Sequence, residues 1–579
     1  MSDDESPIYE EIEVKFRVTD ARQAHVLRTM PTIADRYLLT QVNDVINVDT
    51  YYDAADLRLL RHGQTLRVRA AGDLILMTSK SIGVHTPKGL HTREEIERHA
   101  PHVAADAPVL RLVDIPNELL EGVGEWLDAE TELFPLVRLH QQRAKRDVLQ
   151  PGRPEGYIAE LSIDHVTVLR AMSELDAQDD SAESAVRWQP ASHFTTLEVE
   201  LAPNGERDTL REIALWLRAW PGLIADDQNK LQQALLALHG EPSDDAGDGE
   251  AGEPDHRQHM AELCRRVWGE QLRIMLVNEA GVRLSDDIEY VHDMRVATRR
   301  ARAAGKLYAG YFSPRSKAVR RFMRHLRTTG RLLGSVRDLD VALRKLDAYT
   351  WDSDHGDDSS DGGEESADSM ASARSGTDAL GERWARKRAR AHKKLVAWLD
   401  SKKYRRFVRD FLLFCATPGA AVAPFAPAQG EPPTPHQVRH VLPSLILGRY
   451  EAIRAFEVLF EDARATGANI PIETLHALRI ECKYMRYHLE FSAELLGPTA
   501  AGLINNLKGL QEHLGDLNDA SVSSALVATT LENGNDDVAA YAALQASTQE
   551  LLRHSLPSDL AAFLSEETRR TLGLALARI

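Results

Sequence analysis

Residues 11–17 read Glu11-Ile12-Glu13-Val14-Lys15-Phe16-Arg17, with charge and apolarity changing places at every step. Successive side chains of a strand point to opposite faces. Two acids and two bases therefore share one face, and Ile12, Val14 and Phe16 share the other. One half-wet strand would give the same pattern, but here the pattern returns. Arg67 and Arg69 share a face, as do Thr78 and Lys80, then Arg93, Glu95 and Glu97, and finally Glu198 and Glu200. Period-2 alternation predicts strands over 11–18, 65–70, 74–80, 92–97, 157–168 and 195–201, with a helix over 207–219. Strands lined by Arg, Lys and Glu with apolar residues opposite predict an antiparallel β-barrel turned inside out, with the charge in its lumen. Such a lumen needs something to neutralise it. Paired carboxylates suit hard divalent cations, and converging Arg and Lys suit phosphates.

Beyond residue 240 the texture changes. Residues 241–255 (EPSDDAGDGEAGEPD) carry no periodicity and read as an acidic linker. Downstream the 3.6-residue period takes over, broken at Ser313-Pro314, over 417–435 and at Pro498. The expected class is a multidomain α+β chain: a barrel over 6–240, a linker over 241–256 and an all-α domain over 257–579. The helical half contains an internal two-fold repeat. VHDMRVATRRARAA followed by LLGSVRDLDV answers to LHALRIECKYMRYHLE followed by HLGDLNDASV. Repeat 1 is placed at about 257–350 and repeat 2 at about 436–579, with an acidic insert over about 351–378 expected to be disordered.

The 579 residues are 43% hydrophobic and 27% charged, which excludes a wholly disordered, collagen-like or disulfide-scaffold chain. Cys264, Cys415 and Cys482 form no CxxC pair, against a zinc ribbon and in keeping with a reducing compartment. The acidic start MSDDESPIYEE is unlike a signal peptide, and no apolar run approaches membrane-spanning length, so a cytoplasmic protein without a membrane partner is expected. The net charge of −18 conceals a local excess: fifteen Lys and Arg against three Asp between His292 and Lys345. Local field, not net charge, decides what a surface attracts.

In the first repeat His292, Arg295, Arg299, Arg302 and Lys306 line one helical face, and in the second His476, Arg479, Lys483 and Arg486 do so. Like charges at these spacings repel, a cost that a bound polyanion offsets. No second ligand at metal spacing accompanies either His. Nucleic acid is the rival polyanion, but aromatics for base stacking are sparse on the stripe, Tyr484 and Tyr487 at most. Gly247–Gly252 satisfies GxGxxG without a preceding strand, and Asp357–Asp368 imitates a calcium loop without its flanking helices; neither is taken as a site.

Glu11-x-Glu13-x-Lys15, TYYDAADLRLLRHGQTLRVR, MTSK, TREEIE and LEVEL together resemble the CYTH superfamily of triphosphate tunnel metalloenzymes, over most of residues 8–239. That resemblance implies a metal-dependent hydrolase, with Mg2+ or Mn2+ held by Glu11, Glu13, Glu198 and Glu200. The triphosphate would be gripped by Lys15, Arg67, Arg69, Lys80 and Arg143, and the catalytic set would be Glu11, Glu13 and Lys15. Arg93, Glu95, Glu97 and Asp164 occupy further charged tunnel positions. Lys230 is expected to close the tunnel, although the Arg that the family often carries three residues later is Gln233 here. The two His-x-x-Arg segments resemble the CHAD domain, which implies polyphosphate binding through His292, Arg295, Arg299, Arg300, Arg302, Lys306, His476, Arg479, Lys483 and Arg486. The combined expectation is hydrolysis of inorganic triphosphate to pyrophosphate and phosphate, beside a long-chain polyphosphate tether that associates the protein with polyphosphate granules. The alternatives are a non-catalytic polyphosphate-binding protein, or a tunnel acting on thiamine or nucleoside triphosphates.

Overall fold

The computed structural model describes residues 9–238 and 256–579 apart from 73, 82–83, 86–90, 153–155, 204, 227, 172–185, 286, 356–364, 424–434, 467–468 and 532–535. Side chains are described for these residues except at 9–10, 21, 71, 84–85, 91–93, 345–355, 365–380, 518–531, 536–546 and 548–549. Arg93, Asp519, the linker motif and the calcium-loop imitation thus lie outside the described side chains.

Val14, Phe16 and Val18 are buried on the outside of the barrel, where they pack against Leu210, Ile213 and Leu217 of the helix Arg207–Arg218. Alternation then turns Glu13 and Lys15 the other way. The strands that close the barrel are β1 (Tyr9–Val18), β2 (Asn43–Ala54), β3 (Gln64–Ala71), β4 (Leu74–Ser81), β5 (His91–His99), β6 (Leu133–Leu149), β7 (Tyr157–Ala171) and β8 (Trp188–Leu201), with shorter strands at their edges. All pairings are antiparallel. They run β1–β5–β4–β3–β2–β6–β7–β8, and β8 pairs β1 again, so the sheet curls until its order returns to the start. A second outer core, built on Tyr52, Leu66, Val68 and Met77, packs against Leu110, Leu119 and Val123. Apolar residues outside and charge inside is the arrangement that the alternation predicts.

Two long strands, β2 and β6, escape the alternation reading. In β6 the inward-phase residues Val137 and Leu139 are apolar and buried, yet Gln141 and Arg143 in the same phase are polar, and Ala144 and Val148 take over the apolar role in the opposite phase. Opposite this strand, β2 slips register between Tyr51 and Tyr52. A pattern that inverts part-way has no single apolar face to detect.

Helices follow. Each repeat supplies a helix that begins Ile-Glu and carries its histidine at the fifth position, Ile288–Tyr308 and Ile472–Phe491, and each is succeeded by a long helix, Lys317–His355 and Thr499–Leu531. The acidic insert needs a correction. The first long helix continues to His355 and another runs over Glu365–Leu399, so most of 351–378 is helical, residues 356–364 lying outside the description. Composition does not account for it: eighteen of the twenty-eight residues over 351–378 are Asp, Ser or Gly, all poorer helix formers than Ala or Glu.

The compact units do not follow chain order. One joins the barrel to Glu270–Thr298 and Thr328–Leu413; the other gathers Arg299–Arg327 and Phe414–Ile579 with the start of the helix Met260–Leu284. Within the first unit, Asp53 accepts from the backbone N–H groups of Leu59 and Leu60 and so fixes the short helix Arg58–Arg61 between β2 and β3. Arg61, fully buried, donates through Nε to both oxygens of Glu279 at 3.1 Å and through Nη2 to the Leu399 carbonyl at 3.0 Å. Glu279, equally buried, also accepts from Arg283 at 2.7 Å and from the Tyr404 hydroxyl at 3.0 Å. Removing one member of such a cluster strands the others without their charge partner. Glu279→Ala is therefore expected to destabilise this unit by about 3–5 kcal/mol, seen as a fall in denaturant midpoint of the full chain. The exposed Arg111–Glu132 pair is the control: Glu132→Ala should cost under about 1 kcal/mol. Equal midpoints for the two variants would show that the Glu279 cluster stabilises nothing.

Candidate functional site

Cross-strand register lays out the lumen. Glu13 stands opposite Glu200 and Lys15 opposite Glu198. Glu160 stands opposite Glu200, and Asp164 opposite Arg143. On the far side Asp49 faces Arg69, Tyr51 faces Arg67, Arg67 faces Thr78 and Lys80 faces Glu95. The charged side chains enclose a cavity of about 860 Å3 whose lining includes Glu11, Lys15, Arg67, Arg69, Lys80, Arg143, Glu198, Glu200 and Lys230. Nine of the ten tunnel residues expected from sequence thus share one cavity. The tenth, Glu13, is buried behind Lys15, 3.2 Å from its ammonium.

The acids are not equivalent. Glu198 is met by Lys15 at 3.0 Å, Lys230 at 2.6 Å and Arg143 at 3.1 Å. Burial alone would raise its pKa, but these three cations outweigh burial and hold it well below the ordinary carboxylate range. Glu11 goes the other way: burial first and Glu13 second raise it, although Lys80 is paired with it. Glu200 is exposed along the lumen, yet desolvation by the tunnel walls and then the Glu11 charge push it up to about 7. Like charges facing each other across β-strands are unfavourable. The Glu11, Glu13 and Glu200 side of the tunnel therefore carries more negative charge than its lysines neutralise.

Among the described residues no three His, Cys, Asp or Glu side chains are gathered into a ready-made cation cage. The excess acid on this side supplies carboxylate oxygens only, which is the donor chemistry of Mg2+ or Mn2+. Glu198, expected as a metal ligand, is already occupied by three cations and fits the role of organising them.

The cationic wall is built by paired geometry. Arg143 grips Asp164 bidentately, Nε to Oδ1 at 2.6 Å and Nη2 to Oδ2 at 2.7 Å, and Lys230 reaches the same aspartate at 2.9 Å. Lys230 opens the helix Lys230–Ala237, where Asn229 and Gln232 exchange side-chain-to-backbone bonds as a capping box, so its ammonium is aimed into the tunnel by a fixed helix start. Gln233, where the family often has Arg, bonds to Asp226 at 3.2 Å. Lys80 contacts Glu95 at 3.1 Å, and Lys80 with Arg67 outweighs burial to bring Glu95 down to about 2.

In the second unit Arg299, Arg302 and Lys306 come from one helix and His476, Arg479 and Lys483 from another. Burial and then the charges of Arg479, Arg299 and Lys306 lower the Lys483 pKa, so four cations from two helices act on one locality. Arg300 and Arg486 have a different duty. Both pair with Glu490, and Arg300 also lies over the Phe491 ring at 5.4 Å. His292 and Arg295 belong to the first unit, where Arg295 is 4.0 Å from Asp338.

Residues 10–208 match the CYTH domain and residues 266–528 match the CHAD domain. The chain carries a CYTH domain and a CHAD domain. Among solved structures, the CHAD domain from the plant Ricinus communis is 21% identical over 54% of this chain and 95% of its own, with a TM-score of 0.38. PptA from Streptomyces chartreusis is 16% identical over 55% of this chain and 99% of its own, with a TM-score of 0.34. A Hippeastrum protein named as an adenylyl cyclase candidate, with a dominant triphosphatase activity, is 16% identical over 38% of this chain and 93% of its own, with a TM-score of 0.24. No curated protein matches the sequence.

The polar groups of the CYTH tunnel that sequence reasoning missed include four on its long strands. Lys145 and Glu160, 3.0 Å apart, line the lumen. Asp49 and Gln141 lie buried behind it, bonded at 2.6 Å. Three of the four sit on β2 or β6, the strands whose alternation inverts. In the CHAD domain Arg449 was also missed; it stands 5.3 Å from the Tyr484 ring and pairs with Glu481 at 2.7 Å. Among the described residues no helix is long and apolar enough to cross a membrane.

Proposed function

We propose that the CYTH tunnel hydrolyses inorganic triphosphate to pyrophosphate and phosphate with Mg2+ or Mn2+, and that the CHAD domain binds long-chain polyphosphate. The observation that carries the reading is the division of one lumen into an acid-rich side and a cationic side. Glu11 and Glu200 would hold the metal, with Glu13 behind them adding negative charge and Glu198 steadying Lys15, Arg143 and Lys230 against it. The metal, when bound, supplies charge neutralisation at a phosphoryl oxygen. The chain's own residues do the rest. Lys15, Arg67, Arg69, Lys80, Arg143 and Lys230 align the phosphate chain and offset its charge, and Glu11 orients the attacking water. Phosphoryl transfer asks little more of a protein than such positioning.

The inorganic substrate is supported by what lines the cavity. Its one aromatic side chain among the described residues is Tyr51, only 6% exposed, so the lumen presents no open stacking surface for a nucleobase or a thiamine ring. Polyphosphate binding is supported by the four converging cations of the CHAD domain, and a protein so tethered would accompany cytoplasmic polyphosphate granules. Phosphate release from tripolyphosphate, thiamine triphosphate and ATP, with and without Mg2+ or Mn2+, tests the proposal. Metal-dependent turnover is expected to be fastest with tripolyphosphate, by roughly tenfold or more in kcat/KM. Preference for ATP would reassign the substrate, and no turnover of any of the three would leave a receptor.

A further inference from the structure

We propose that Asp49, which does not line the tunnel, is the positioning residue for its Arg67–Arg69 wall and thereby sets the affinity for the phosphate chain. The inference rests on the reading of the lumen as a phosphate-chain site and adds to it a residue outside the lumen. Asp49 lies on β2 with no exposed surface and collects donors from both neighbouring strands. From β3, Arg69 binds it bidentately, Nε to Oδ1 at 2.7 Å and Nη2 to Oδ2 at 2.8 Å, and Arg67 Nη1 reaches Oδ2 at 3.4 Å. From β6, Gln141 Nε2 donates to Oδ2 at 2.6 Å.

That arrangement assigns the two arginines unequal tasks. Arg69 spends two of its three nitrogens on Asp49 and is fixed as a planar fork. Arg67 is shared: its Nη2 bonds Thr78 Oγ1 at 2.9 Å and is 3.4 Å from Glu95 and 3.3 Å from Glu97, while its buried Nε has no hydrogen-bond partner among the described residues. Among the described residues, Asp49 is the fully buried carboxylate that draws Arg67 away from Glu95 and Glu97. Without its charge, two half-buried guanidinium groups on alternate positions of one strand repel each other, and Arg67 is left to the glutamates two strands away on the same wall. A guanidinium paired with those glutamates is less available to a phosphate. An asparagine in this place keeps the shape but offers one acceptor oxygen to four donors.

The test uses the full chain and two readouts, steady-state hydrolysis of tripolyphosphate and calorimetric binding of tripolyphosphate without metal. Asp49→Asn should raise KM and weaken metal-free binding by about tenfold or more, with kcat changed by less than about threefold, because the grip on the chain is lost in ground and transition states alike. Asp49→Glu, which keeps the charge but moves it by one methylene, should recover most of that loss and remain about threefold weaker than the parent. A purely structural role would lower thermal stability without this split between KM and kcat. Unchanged KM and binding in folded Asp49→Asn overturn the proposal. Should that variant fail to fold, an unchanged KM in Asp49→Glu overturns it instead. A parent chain that neither binds nor hydrolyses tripolyphosphate sinks the tunnel reading itself, a result distinct from either.

Discussion

Glu200→Gln is expected to lower metal-dependent triphosphate turnover by about 100-fold or more, the loss typical of removing one preorganised electrostatic group from a reacting centre. Glutamine keeps the shape of the side chain and removes its charge. The physical case lies in the imbalance on the acid side of the lumen. Glu200 stands opposite Glu13 on one neighbouring strand and Glu160 on the other, and Glu11 adds to the repulsion. Such crowding costs the fold something and is relieved by a cation. The variant should therefore be no less stable than the parent while losing metal-supported activity, an opposition that a merely structural carboxylate would not produce. Glu11→Gln is expected to behave in the same way. Glu198→Gln should not, because it leaves Lys15, Arg143 and Lys230 without their common counter-ion, so stability falls together with activity. Thermal unfolding beside phosphate release separates the cases. Metal-dependent activity that survives in both Glu200→Gln and Glu11→Gln would remove the assignment of these acids.

The distinction between Glu198 and Glu200 was not legible in the sequence, where both are simply inward acids of LEVEL. It depends on what the neighbouring strands and the helix Lys230–Ala237 bring up to each, and that is decided by register across residues far apart in the chain. The barrel itself was legible because stretches of β1, β3, β4, β5 and β8 repeat polar or charged residues at every second position in one unbroken phase. β2 and β6 do not, and Asp49 and Gln141 went unseen with them. The helical half shows the same limit. The spacing of His292, Arg295, Arg299, Arg302 and Lys306 predicts one helical face, but spacing cannot tell that Glu490 lies within reach of Arg300 and Arg486, or that the charges of Arg299, Lys306 and Arg479 act on Lys483. Periodicity reports the face of an element and is silent on what packs against it.

Charge reversal at Arg299, Arg479 and Lys483 is expected to abolish polyphosphate binding, whereas Arg300→Ala should leave most of it. Burial first, and then the charges of Arg479, Arg299 and Lys306, lower the Lys483 pKa, so like charges face one another there and a bound polyanion would relieve them. A polyphosphate chain carries about one negative charge per phosphate. Binding would release its condensed counter-ions, and affinity would fall steeply with salt. Each phosphate contact adds about 0.7–0.9 to the slope of log K against log salt, so loss of three contacts should flatten the slope by about 2 and weaken binding on the order of 100-fold or more at 0.1 M salt. Arg300 is predicted to matter less because Glu490, which it shares with Arg486, and the Phe491 ring already engage its guanidinium. The measurement is retention of the full chain on immobilised polyphosphate over a salt series, with duplex DNA and heparin as competitors. DNA competing as well as polyphosphate would make the surface a general cation patch. No retention of the parent at low salt would make the stripe an ordinary solvated face. A triple variant that binds with an unchanged salt slope would move the site away from these two helices altogether.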